Sequence, residues 1–145
     1  MRDIVVGTDG SPTAGAAVAY AIDLAAALNG RLHLVAVHRP RTAVLAPEAI
    51  GAEAMLAEAD EAARRQLDDT LDREAKAAKG RGVVVEMHTP VGDPADVLVD
   101  IATRVDAELL VVGSRGMKGA RRLLGSVPNK ITHHAPCHVL VVKTC

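Results

Sequence analysis

Five short runs of β-branched and aliphatic residues recur along the chain: Asp3 to Gly7, Arg31 to Val37, Val83 to Met87, Glu108 to Val112 and His138 to Val142. Each is the length of a strand, and a stretch of helical character separates it from the next. A chain that alternates in this way folds as α/β with its strands parallel, because a helix between two strands makes a right-handed crossover. The first, fourth and fifth runs are mostly apolar rather than alternating, as in strands covered on both faces. The expectation is one doubly wound, Rossmann-like domain over residues 1–145, a five-stranded parallel sheet in the order 3-2-1-4-5 with four helices. At 145 residues, 49% hydrophobic and 24% charged, the chain has the size and balance of one core.

Local punctuation marks the helices. Ser11-Pro12 reads as an N-cap with proline in the first turn, opening an alanine-rich helix to Leu28 with Asn29-Gly30 as its stop. Asp93-Pro94 repeats that grammar and opens a helix through Arg104. A long amphipathic stretch from Glu48 to Lys79 ends at Gly80, and a short helix from Ser126 to His134 is stopped by Ala135-Pro136. Residues 38–47, with two prolines and no clear period, read as a loop.

Several function classes are disfavoured. No apolar stretch nears the length of a membrane span, and Met1-Arg2-Asp3 runs straight into a strand, so neither a membrane segment nor a signal peptide is expected and the cytoplasm is the expected compartment. Tyr20 is the only aromatic residue, which removes the stacking platforms of single-stranded nucleic-acid binding. Cys137 and Cys145 lack metal-ligand spacing and are expected as reduced thiols, Cys137 as a small buried hydrophobe. His133 and His134 are neighbours on a helix, about 100° apart, and do not share a metal. No nucleophile, base and orienting group can be assigned from spacing. A binding role is therefore preferred over turnover, with weak ATP hydrolysis as the most that is expected.

Charge is unevenly distributed. After Glu108 there is no acidic residue, while Arg115, Lys118, Arg121, Arg122, Lys130 and Lys143 are all cationic. Glycines accompany them at 113, 116, 119 and 125. Glycine lets main-chain amides turn inward around an anion, and Gly125-Ser126 starts a helix whose free N–H groups and dipole also favour one. The spacing is neither GxxxxGK[ST] nor GxGxxG, so phosphate binding and a merely flexible loop both stay open. In the 3-2-1-4-5 order this loop faces Thr8 and Asp9 across the crevice between the first and fourth strands. Asp9 suits ribose hydroxyls or the capping of the next turn; Val37 suits an apolar wall for a base or the core; His38 suits a ligand or solvent.

The segments "IVVGTDGSPTAGAAVAYAIDLA", "TPVGDPADVLVDIA" and above all "VVGSRGMKGARRLLGSVPNKITHHAPCHVLVVK" make the chain resemble the universal stress protein family along essentially its whole length. ATP-binding members of that family carry G-x2-G-x9-G-[ST]. Here Gly113, Gly116, Gly125 and Ser126 match in type, with eight residues instead of nine between Gly116 and Gly125. The resemblance implies a stress-response protein that binds an adenine nucleotide, ATP first, with or without Mg2+, and no tightly bound metal is expected. Thr8 and Asp9 would lie on the ribose or adenine side and the Val37 backbone on the adenine. Gly113, Arg115 and Gly116 would approach the phosphates, and Gly125, Ser126 and Val127 the terminal ones. It also implies a homodimer through the last strand, His138 to Lys143. The alternatives are a dimeric interaction module that binds no nucleotide, and a cyclic-nucleotide binder or slow ATPase.

Overall fold

The computed structural model describes residues 1–39, 51–114 and 124–144. The elements run β1 (Arg2–Thr8), α1 (Pro12–Leu28), β2 (Gly30–Ala36), α2 (Ala52–Gly80), β3 (Val84–His88), α3 (Pro94–Arg104), β4 (Leu109–Gly113), α4 (Ser126–His134) and β5 (His138–Val142). The strands form one sheet in the order β3-β2-β1-β4-β5, and every pairing is parallel. The parallel, doubly wound sheet read from the alternation of strand and helix is the observed one, and so is the strand order that was assumed for it.

Period-two alternation along the strands divides the apolar residues between two cores. Ile4, Val6, Leu32 and Leu34 point to one face and pack with Val18, Ile22 and Ala25 of α1 and Leu71, Ala75 and Ala78 of α2. Val5, Val35, Leu110 and Val112 point to the other, against Ala95, Leu98 and Ile101 of α3 and Ile131 of α4. The alanines of α1 allow close approach to the sheet: Ala17, Ala21 and Ala25 are all buried. No helix among the described residues is long and apolar enough to cross a membrane.

The helix signals act as read, with two changes. The Ser11 side chain accepts the Ala14 amide at 3.1 Å, and Asp93 accepts that of Asp96 at 3.1 Å, each with proline in the first turn. Asn29, rather than Gly30, takes the left-handed C-cap position of α1, with φ 52°. Gly30 already belongs to β2, where a Cβ would lie 2.9 Å from the Arg2 carbonyl oxygen; it is glycine so that β2 can lie against β1. Gly80 is the last residue of α2, and the reversal falls to Gly82 at φ 75°. Residues 48–50 of the long amphipathic stretch and residues 40–47 of the predicted loop lie outside the described residues.

Burial of the strands departs from the expectation in one respect. β1 and β4 are buried along their centres, but β5 is only half-buried, because it lies at the edge of the sheet. β2, whose Arg31 and His33 interrupt the apolar pattern, is buried over nearly its whole length. It lies between two strands, so even His33 is enclosed.

Candidate functional site

Chain order reverses between β1 and β4, and the loops at their carboxyl ends border the crevice of a doubly wound sheet. On the β1 side the buried Thr8 uses its Oγ1 to accept the Gly10 amide at 3.2 Å. Asp9 follows; its Oδ1 accepts the Ser11 amide at 2.9 Å, and the carboxylate is exposed. Asp9 thus performs the turn-capping role that its position allowed, while its carboxylate stays open to solvent.

On the β4 side, Ser114 gathers three segments. Its amide donates to the Val142 carbonyl at 2.8 Å, its carbonyl accepts the Gly125 amide at 2.9 Å, and its Oγ accepts the Thr144 amide at 3.1 Å. The glycine- and arginine-rich loop is therefore pinched at its base, with Ser114 on one side and Gly125 on the other. A Cβ on Gly125 would lie 3.3 Å from the Ser114 carbonyl oxygen, so glycine suits this close approach. Gly125 is the N-cap of α4, and no side chain caps that helix. Ser126 is exposed, Val127 half-buried and Pro128 buried, so the start of α4 presents main-chain N–H groups at this edge.

A third wall follows β2. Val37 is half-buried against the α3 and α4 core. The His38 amide donates to the Pro90 carbonyl at 2.9 Å, and the His38 carbonyl accepts the Gly92 amide at 3.1 Å, which joins the segment after β2 to the one before α3. Arg39 then pairs with Asp93 at 2.8 Å, and Lys130 of α4 pairs with Asp93 at 3.4 Å and Asp96 at 2.8 Å. The Asp96 amide bound to it, together with Lys130 and Arg39, holds the Asp93 carboxyl below the usual carboxylate range.

Thr8, Asp9, Val37, Gly113, Gly125, Ser126 and Val127 therefore all lie at the carboxyl edge of the sheet, although they come from four separate stretches of sequence. Arg115 and Gly116 lie outside the described residues. Reading the sequence found the glycines but missed Ser114, which ties the loop base, and the Arg39–Asp93–Lys130 bridge, because Asp93-Pro94 had already been explained as a helix cap. A shallow depression of about 440 Å³ lined by Ala107, Glu108 and Ala135 to His138 lies at the opposite edge.

An open parallel α/β sheet with polar turns and an uncapped helix start gathered at the reversal of chain order defines a doubly wound α/β protein. The universal stress protein family model matches residues 1–143, and the chain belongs to that family. The chain is 34% identical over 145 residues to universal stress protein Rv1636 of Mycobacterium tuberculosis, covering 99% of this chain and 97% of the relative. Among solved structures, universal stress protein UspA from Lactobacillus plantarum superposes with a TM-score of 0.85 at 23% identity, over 98% of this chain and 97% of that one. A universal stress protein in complex with cAMP superposes with a TM-score of 0.67 at 35% identity, over 99% and 98%.

Proposed function

We propose that this protein is a stress-response module that binds an adenine nucleotide in the crevice between the carboxyl ends of β1 and β4. The observation that carries the reading is the Ser114–Gly125 bond, which holds the uncapped start of α4 beside the end of β4. Main-chain amides at a helix start attract a phosphate without any charged side chain, and the cationic loop adds long-range attraction. In this reading Asp9 and the Val37 backbone take the ribose and base. Gly113, Arg115 and Gly116 line the phosphates, and Ser126 and Val127 meet the last of them.

ATP is the first reading, with Mg2+ carried by its phosphates. Two observations favour a second, a cyclic mononucleotide such as cAMP: the loop has eight residues between Gly116 and Gly125 instead of nine, and a structural relative at 35% identity was solved in complex with cAMP. A shorter loop has less span to wrap a triphosphate. The order of affinities among ATP, ADP, AMP and cAMP, measured by calorimetry on nucleotide-free protein, decides between the two. Binding of none of them overturns the proposal. Gly113→Val obstructs the close approach of backbone to phosphate and is expected to lower affinity at least about 100-fold with the far-ultraviolet circular dichroism unchanged. Unaltered affinity in that variant would place the ligand elsewhere.

A further inference from the structure

On the face of the sheet that carries α3, the β2–β3 side holds a polar group that the crevice does not use. His33 of β2 stands opposite Glu86 of β3, with His88 one pair further along the same face. Each of the three side chains offers one ligand atom that lies within 4.8 Å of the other two. The His33 Nδ1 to His88 Nε2 distance is 3.1 Å, and His33 Nδ1 to Glu86 Oε2 is 3.6 Å. Donors held about 2.0–2.1 Å from a tetrahedral zinc ion lie about 3.3 Å from one another, so this spacing already suits a shared ion.

The ring of His33 is oriented from behind. Its Nε2 lies 2.8 Å from Asp3 Oδ1 of β1, and His33 is 1% exposed. A carboxylate only accepts, so Nε2 carries the proton and, in the neutral ring, the Nδ1 lone pair is aimed at Glu86 and His88. A carboxylate bonded to the far nitrogen of a ligating histidine is the recurrent support of zinc sites. Glu86 is about half-exposed, which provides an entry path, and its other oxygen, Oε1, faces Arg31 at 3.6 Å. Arg31 also lies 3.7 Å from Asp3, so the two carboxylates are shared with a cation. That competition lowers the affinity without removing a ligand atom.

We infer that His33, Glu86 and His88 form a binding site for a divalent transition-metal ion, Zn2+ foremost, with Asp3 fixing the His33 ring and solvent completing the coordination. Two imidazoles and one carboxylate select a borderline ion over Mg2+ or Ca2+, which prefer all-oxygen sets. In the absence of metal the same atoms are satisfied by a His88 Nε2–H donated to His33 Nδ1; on binding, the ion would take the place of that hydrogen bond and the neutral His88 ring would carry its proton on Nδ1, with no net proton release. The site lies on the β2–β3 side of the sheet, away from β4 and Gly125, so metal binding and nucleotide binding stand or fall separately.

The test uses the full chain freed of any affinity tag, titrated with Zn2+ by calorimetry and with Co2+ by visible absorption, without nucleotide. One ion per chain is expected, with the intense ligand-field bands of a four- or five-coordinate Co2+. His88→Ala is expected to weaken binding at least about 100-fold, and Asp3→Asn 10- to 100-fold. A His133→Ala/His134→Ala double variant is expected to leave it unchanged. Because His33 is enclosed, its removal risks the fold; His88→Ala and Glu86→Gln, on the more open β3, keep the measurement decisive, with circular dichroism as the folding control. No binding of either ion, or equal binding by wild type and His88→Ala, overturns the inference, as does loss of binding in the His133/His134 variant.

Discussion

At the scale of single residues, the polar groups that matter are those whose surroundings disagree with their chemistry. Glu74 of α2 is the clearest: burial pushes its carboxyl up to about 7 against the small opposing pull of Arg73, and its Oε2 is enclosed without a hydrogen-bond partner. Its folded value is above its unfolded value of 4.5, so the folded chain holds the proton more tightly. Stability is unimpaired below pH 4.5 and falls as pH rises from 4.5 through about 7, where the charge must be buried. Glu74→Gln is therefore expected to change thermal stability little near pH 4.5. After allowance for solvent screening it should add about 1 kcal/mol at pH 8, or about 3 °C in Tm. Thermal melts of the two proteins at both pH values check this; an equal gain at each would contradict the burial argument. Asp9 shows the complementary case. Its sequence position allowed both a ligand role and a capping role, and the Ser11 amide shows that capping engages one oxygen while the carboxylate stays exposed.

At the scale of elements, local punctuation accounts for the helices better than for the strands. Ser11-Pro12 and Asp93-Pro94 are caps whose chemistry is complete within four residues, so α1 and α3 begin where the sequence places them. Replacing Ser11 by Ala removes the acceptor of the Ala14 amide and is expected to cost about 1 kcal/mol in denaturant unfolding. The role of Gly30 was not visible locally, because its constraint comes from Arg2 in the neighbouring strand. Gly30→Ala forces Cβ against that carbonyl oxygen and is expected to cost about 1–3 kcal/mol, read as a lower denaturant midpoint with an unchanged slope. An Ala variant as stable as wild type would mean that β1 and β2 separate at no cost. His33 follows the same logic across three strands. Its partners lie at positions 3, 86 and 88, and no short motif connects them.

At the scale of the whole molecule, the open sheet leaves two edges, β3 and β5. β3 is open and carries the polar Glu86 and His88, whereas β5 is half-buried and apolar from Val139 to Val142. An apolar edge strand is a pairing surface, so a homodimer through residues 138–143 is the assembly we propose. In sedimentation equilibrium the full chain is expected to have twice the monomer mass at micromolar concentration. Dilution should accelerate amide exchange in β5 and leave β3 unchanged. A monomer at all concentrations would remove that proposal. Nucleotide at about 100 times its dissociation constant should raise the stability of the whole molecule by about 2.7 kcal/mol, visible as a shift in Tm. No shift with millimolar ATP or cAMP would favour a module that works by protein contacts alone.

The sequence by itself determined the order and type of elements along the chain and, through them, a parallel doubly wound sheet, while the order of strands within it was an assumption that the structure bore out. Hydrophobic period and capping chemistry act over a few residues, and a helix between strands implies a right-handed crossover and so a parallel sheet. It also marked the glycine-rich loop and its neighbours at the carboxyl edge, because turn residues and helix starts carry local signatures. Which side chains meet across the fold was decided only by the tertiary structure. Ser114 holding Gly125, Arg39 and Lys130 meeting on Asp93, and His33 between Asp3 and His88 all join residues far apart in the chain. Such contacts depend on strand register and helix placement, which no local pattern encodes.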